Sequence, residues 1–157
     1  MVIRGGTVVN AAEISKCDVG VKDGRIVALG ENLTAGAQEI DATGKYVMPG
    51  GIDSHCHIDQ RSSGGGRNSE TFESGTRSAA CGGTTTIICF AAQEKGELLT
   101  PVVEEYHDKA KQSCIDYSFH LIISDPSDEG MHEEVPKLIK AGHRSVSYTH
   151  LPLPTKA

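Results

Sequence analysis

An α/β fold with a parallel sheet, entered through a small all-β segment, is what this 157-residue sequence predicts. Three observations predict it. Residues 1–48 break into short alternating runs punctuated by turn pairs, and from Gly50 onward strand-like and helix-like stretches alternate. Thr84–Phe90 is an unbroken β-branched and apolar run, the pattern of a parallel strand covered on both faces.

In the first segment, Met1–Arg4 and Thr7–Asn10 read as strands flanking Gly5-Gly6. Asp18–Lys22 alternates, Asp23-Gly24 is a strong hairpin turn, and Arg25–Leu29 returns. Gln38–Asp41 and Lys45–Met48 bracket the turn Ala42-Thr43-Gly44. Few of these residues suit chemistry, so residues 1–49 are expected to be scaffold.

In the second segment, Ile52–His57 is a strand end and Gln60–Asn68, with three consecutive glycines, a loop. Ser69–Cys81 is helical and stops at Gly82-Gly83. Thr84–Phe90 is the next strand, and Thr100 is placed to cap a helix with Pro101 in its first turn, running to about Gln112. Ile115–Ser124 is a third buried strand, and Asp128–Ala141 a helix ended by Gly142 and open to kinking at Pro136. Three βα units result. A fourth strand should follow Gly142, but Pro152 and Pro154 cannot sit in a central strand.

Net charge is −6, with Lys and Arg scattered rather than gathered in a stripe, which argues against nucleic acid or an anionic membrane as partner. No apolar run approaches the roughly 20 residues of a membrane span, and the N-terminus lacks the apolar core of a signal peptide. Cys17, Cys56, Cys81, Cys89 and Cys114 show neither metal-site nor disulfide spacing. Buried free thiols in a reducing compartment, and hence a cytoplasmic protein, are the expectation.

The most informative run is Pro49-Gly50-Gly51-Ile52-Asp53-Ser54-His55-Cys56-His57-Ile58-Asp59. On a strand, His55 and His57 point to one face, and two converging imidazoles are half of a transition-metal site. Asp53 lies on that face and is placed to orient an imidazole, whereas Cys56 should point away. Other polar residues carry weaker expectations. His107, among Glu104, Glu105 and Asp108, reads as part of a solvated helix face, His120 as a core or interior strand residue, and His132 and His143 as surface. Asp59, Gln60, Arg61 and Arg67 lie in the loop after the histidine pair, where substrate contact is an alternative to simple solvation.

These residues carry a resemblance. Val21-Lys22-Asp23-Gly24-Arg25-Ile26, the run Ile40–Asp53, the His55/His57 pair, Phe72-Glu73-Ser74-Gly75-Thr76, Gly82–Ile88 and Ile115–Leu121 together resemble the cyclic amidohydrolases. Within them, the Gly-Gly-Thr-Thr-Thr run and Ile115-Asp116-Tyr117 resemble the dihydropyrimidinase and hydantoinase branch. Ile58-Asp59-Gln60-Arg61-Ser62 stands where allantoinase-like and dihydroorotase-like members carry a Glu-Pro-Gly run. Non-catalytic relatives of the collapsin-response mediator type lack the intact histidine pair. A scaffold paralogue and an allantoinase-like enzyme remain the alternatives.

The resemblance implies a metal-dependent hydrolase that opens 5,6-dihydrouracil, dihydrothymine or hydantoin rings to N-carbamoyl amino acids, as in pyrimidine degradation. It implies the first part of a (β/α)8 barrel over residues 50–143, preceded by a β-sandwich segment over 1–49. A whole barrel usually needs about 250 residues. It implies two divalent metal ions, zinc foremost, with His55 and His57 as ligands of the more buried one. The bridging carboxylated lysine, two further histidines and a proton-shuttling aspartate would lie beyond residue 143, so the chain alone is expected to be inactive. A cytoplasmic homotetramer is the assembly implied. In register, Ser147 falls where the lysine should be, and residues 144–157 resemble translated cloning DNA, so a non-native tail is expected there.

Overall fold

The computed structural model describes residues 1–62, 65–126 and 130–147, in two compact units that divide between Pro49 and Gly50.

The first unit is one sheet built around β1 (Val2–Val9), with β2 (Ile14–Lys22), β3 (Arg25–Gly30), β4 (Glu39–Asp41) and β5 (Tyr46–Val47). The strand order is β3-β2-β1-β4, and β5 also pairs with β1. The two short strands expected at the start are one strand, because Gly5-Gly6 is absorbed as an irregularity in the β1–β2 register between Ile3 and Gly6. The β2–β3 hairpin turns at Asp23 and Gly24, with φ of 50° and 72°; both residues of this tight turn need positive φ, which Asp and Gly tolerate best.

Asp18 ties this unit together. Its buried carboxylate accepts the N–H groups of Gly5 at 2.9 Å and Leu33 at 3.1 Å and a guanidinium N–H of Arg4 at 3.1 Å. Arg4 also pairs with Glu39 on β4, so one acidic residue on β2 joins three segments.

The second unit is a parallel sheet in the order β6-β7-β8-β9, comprising β6 (Gly51–Cys56), β7 (Thr84–Ala92), β8 (Asp116–Ile122) and β9 (Val146–Ser147). Three helices connect the strands: α1 (Phe72–Cys81), α2 (Leu99–Ala110) and α3 (Val135–Ala141). On α2 the buried residues are Leu99, Val102, Val103, Tyr106 and Ala110, a one-face spacing of three and four. They pack on Ile87, Cys89, Ala91, Phe119, Leu121 and Ile123, with Phe72 of α1 and Leu138 of α3. Each large side chain so enclosed stabilises the unit by about 1.5–3 kcal/mol.

Thr71 caps α1 by accepting the Ser74 N–H, and the Ser74 hydroxyl accepts the Thr71 N–H in return. The cap expected from Thr100 is not used. Instead Glu134, buried, accepts the N–H of Leu99 at 2.7 Å and of Thr100 at 2.9 Å. A carboxylate has an acceptor for each of two orphan amides, where a hydroxyl serves one. Burial pushes the Glu134 carboxyl up, but the Thr100 and Leu99 donors outweigh it and hold the group below its ordinary range. The expected helix at residues 128–141 is a π-helical turn over Gly130–Glu134 followed by α3, with Pro136 in the first turn of α3, where it costs no hydrogen bond. Residues 127–129 lie outside the described residues.

A fourth strand does form. Val146 pairs with Leu121 and Ser147 with Ile122, in parallel register. The two prolines that argued against it, at 152 and 154, come later and lie outside the described residues.

Candidate functional site

The site grows from the start of β6. Gly51 N–H donates to Gly83 O at 2.8 Å, and a side chain at Gly50 would collide with that of Thr85, so this strand can only enter against β7 through glycine. Parallel pairing then sets Asp53 opposite Ile87 and Cys56 opposite Cys89.

Alternation sorts the side chains as expected. Cys56 joins the helix-side core, with its sulfur 3.4 Å from that of Cys89. His55 and His57 sit on the other face, their ring centroids 5.3 Å apart. Both rest on buried Phe90 of β7, each 4.7 Å from its ring; His57 stacks on it at 12° and His55 meets it edge-on at 68°. Phe90 thus fixes both imidazole planes.

Gln60 fixes the chemistry of one of them. The Nδ1–H of His57 donates to Gln60 Oε1 at 2.5 Å, which leaves Nε2 as the lone-pair nitrogen of the neutral ring. Asp53 does not orient an imidazole. Its carboxylate accepts the backbone N–H of His55 at 3.0 Å, a nearer donor than either ring. His120 lies on the same face, 5.1 Å from Phe90, but both its nitrogens are engaged: Nε2–H donates to Ser54 O at 2.9 Å and Nδ1 accepts from the Ser145 hydroxyl at 2.6 Å.

The loop after β6 folds back on the pair. Asn68 donates its side-chain amide to His57 O at 2.6 Å. Arg61 donates to Glu97 at 2.8 Å and pairs with Glu105, and Arg67 reaches Asp59 and Glu105 at 3.4 Å each. Of the loop residues considered for substrate contact, Asp59, Arg61 and Arg67 are thus committed to ion pairs. The Glu97 carboxylate beside Arg61 holds the guanidinium charged even more firmly than usual. Between this loop and the ends of β7 and β8 lies a cavity of about 800 Å³, lined by His57, Gln60, Arg61, Asn68, Gln93 and Ser124 among others.

No protein-family model matches the chain. Individual proteins do. The chain is 49% identical over 140 residues to D-hydantoinase of Geobacillus stearothermophilus, covering 88% of this chain and 29% of that protein. It is 42% identical over 142 residues to dihydropyrimidinase of Arabidopsis thaliana, covering 89% and 26% respectively. A crystal structure of D-hydantoinase superposes with a TM-score of 0.87 at 43% identity, over 96% of this chain and 34% of that one. The chain therefore spans about 30% of the length of the curated relatives it matches. This segment is homologous to part of the D-hydantoinases and dihydropyrimidinases.

The parallel sheet and its helices accordingly match part of a barrel as seen in the D-hydantoinase structure, with residues 1–49 forming a β-rich N-terminal segment. In that setting the donor set can be tested. Two imidazoles on one face, one with its Nε2 lone pair released by Gln60, suit a borderline-soft divalent ion. Among the described residues no group of three His, Cys, Asp or Glu converges to hold a metal. The pair fits part of a divalent-metal donor set, not a complete one.

Elsewhere the structure corrects the sequence reading. His107 is half-buried rather than simply solvated: it lies edge-on to Phe119 at 5.0 Å, and its Nε2 is 3.4 Å from that of His143. The acidic neighbours suggested an exposed face, but His107 follows Tyr106 at the margin of the buried stripe. His143 is half-buried rather than surface, and burial lowers its pKa. Cys81 and Cys114 are exposed, and only Cys89 is fully buried. Sequence reasoning missed Phe90 as the platform, since a Phe in an apolar strand carries no signal of what it faces. It also missed Gln93, buried at the end of β7, whose Oε1 accepts the N–H groups of Ser124 and Asp125 and so shapes the cavity wall.

Proposed function

We propose that this chain supplies the histidine-pair segment of a cyclic amidohydrolase that opens dihydropyrimidine or hydantoin rings to N-carbamoyl amino acids. The observation that carries the reading is the pair itself: His55 and His57 share one face on a common aromatic base, with His57 lining an 800 Å³ cavity, in a chain 49% identical over 140 residues to a D-hydantoinase.

In this reading His55 and His57 hold one of two divalent ions, with zinc the preferred metal by donor chemistry. An ion held there would supply polarisation of an amide carbonyl and a lowered pKa for bound water. The chain's own residues prepare for this. Phe90 sets the ring planes, Gln60 holds the proton on Nδ1 of His57, and the Asn68 amide pins the His57 carbonyl so that the loop keeps the cavity open beside it. The lining is polar, with Ser124 and the remaining amide atoms of Gln60 and Asn68 beside the charged Arg61, Glu94 and Lys95, which suits a planar ring with polar edges.

The 157-residue chain alone is proposed to be inactive, because two imidazoles are too few for a catalytic centre. Residues 1–49 and 50–143 carry the family segment, and 144–157 are read as a non-native tail. No helix among the described residues is long and apolar enough to cross a membrane. Five free cysteines fit a reducing cytoplasm. A homotetramer is the assembly proposed for a full-length form.

The test is a chimera in which residues 1–143 replace the matching segment of the Geobacillus stearothermophilus enzyme. Hydrolysis of dihydrouracil and hydantoin should persist, with zinc bound. Replacing His55 and His57 by alanine should remove metal and nearly all turnover. Unchanged metal content and rate in the double variant would overturn the assignment.

A further inference from the structure

Cys56 and Cys89 form a pair that the hydrolytic reading does not use. They face each other across neighbouring parallel strands at paired positions, with sulfurs 3.4 Å apart. Adjacent strands stand about 4.8 Å apart, inside the Cα separation of roughly 4.4–6.8 Å that a disulfide tolerates. Both side chains are already turned toward one another. Forming the bond, of about 2.05 Å, requires the sulfurs to close by only about 1.4 Å. The two differ in access: Cys56 is half-buried, whereas Cys89 is fully enclosed by the helix-side core. One thiol is reachable and the second waits behind it, the arrangement of an attacked and a resolving cysteine.

We propose that Cys56 and Cys89 are a redox modification site, converted by hydroperoxides to a reversible disulfide between β6 and β7. The Cys56 sulfur attacks the peroxide, forming an S–O bond and breaking the O–O bond; the departing oxygen leaves as water, or as an alcohol from an organic peroxide. The Cys89 sulfur then attacks the sulfenic sulfur, forming the S–S bond and breaking S–O, and the hydroxyl leaves as water with the Cys89 proton. Two thiols lose two electrons and one peroxide gains them. The linkage ties the sheet at the residue between His55 and His57. It requires no metal at that pair, so it stands or falls apart from the hydrolytic reading.

The experiment treats the whole chain with equimolar hydrogen peroxide, alkylates remaining thiols and maps tryptic peptides by mass spectrometry. Peptide 46–61, containing Cys56, should appear joined to peptide 78–95, and dithiothreitol should release both. Since 78–95 also holds Cys81, the Cys81→Ser variant must keep the link. Cys89→Ala should lose it and leave Cys56 as a sulfenic acid trapped by dimedone. Absence of a 46–61 to 78–95 link in the wild-type chain overturns the proposal. So does a link that vanishes in Cys81→Ser, or progression of Cys56 to sulfinic acid with Cys89 still free.

Discussion

The Nδ1–H of His57 donates to Oε1 of Gln60 across 2.5 Å, three residues along a loop that turns through Asp59 at φ 48°. A single side-chain amide therefore selects which imidazole nitrogen carries the proton and which the lone pair. Sequence alone offered Gln60 as a substrate contact, and the structure gives it a nearer partner.

Replacing Gln60 with leucine should release that selection. We expect the neutral His57 ring to shift from predominantly Nδ1–H toward the Nε2–H form that free imidazoles favour. The ring ¹⁵N chemical shifts of histidine-labelled chain measure this directly. His57 shifts identical in wild type and variant would show that the contact does not govern the ring.

Asp18 should make the first unit acid-labile. The Gly5 N–H holds its carboxyl below the ordinary range, aided by the Leu33 N–H and Arg4 against an opposing effect of burial. The folded pKa is therefore below the unfolded value of about 3.9. The stabilisation is fully present above that value and is lost as pH falls through the folded pKa. Amide hydrogen exchange at Gly5 and Leu33 should accelerate over that window relative to the other amides of the first unit. In Asp18→Asn, the pH dependence should flatten.

Glu134→Ala should destabilise the second unit by about 1–2 kcal/mol, since it leaves two amide donors at the start of α2 unpaired. Urea unfolding followed by circular dichroism gives the magnitude. A loss under a few tenths of a kcal/mol would mean that water replaces the carboxylate without cost.

Tyr106→Phe should be neutral or stabilising, within about 1 kcal/mol. The Tyr106 hydroxyl is fully enclosed and makes no hydrogen bond of good geometry among the described residues; burial raises its pKa, opposed by the backbone at Arg61 and Ala92. Removing an unsatisfied buried group costs nothing by way of lost bonds. A marked fall in the unfolding midpoint would reveal a hidden partner.

What the sequence made legible was local and periodic. The hairpin at Asp23-Gly24, the parallel run Thr84–Phe90 and the face shared by His55 and His57 follow from turn chemistry and strand alternation, and all three are observed. What stayed hidden was tertiary. Thr100 looked like a cap because of its hydroxyl and the following proline, but the helix starts at Leu99 and Glu134, 34 residues after Thr100, accepts its first amides. Asp53 shares a face with the imidazoles, yet its carboxylate turns to the backbone. His107 lies among acidic neighbours in sequence and among aromatic ones in space. Periodicity assigns a face, and only the packed structure says what meets it.

The Glu134 clasp also imposes an order of assembly. The residue that completes the start of α2 belongs to the connection after β8, so the second βα unit is unfinished while the third is still a disordered chain. During vectorial synthesis, α2 must wait with bare amides until some 35 further residues have emerged and docked. The second and third repeats of this half-sheet are thus bolted in sequence, the later piece locking the one before it.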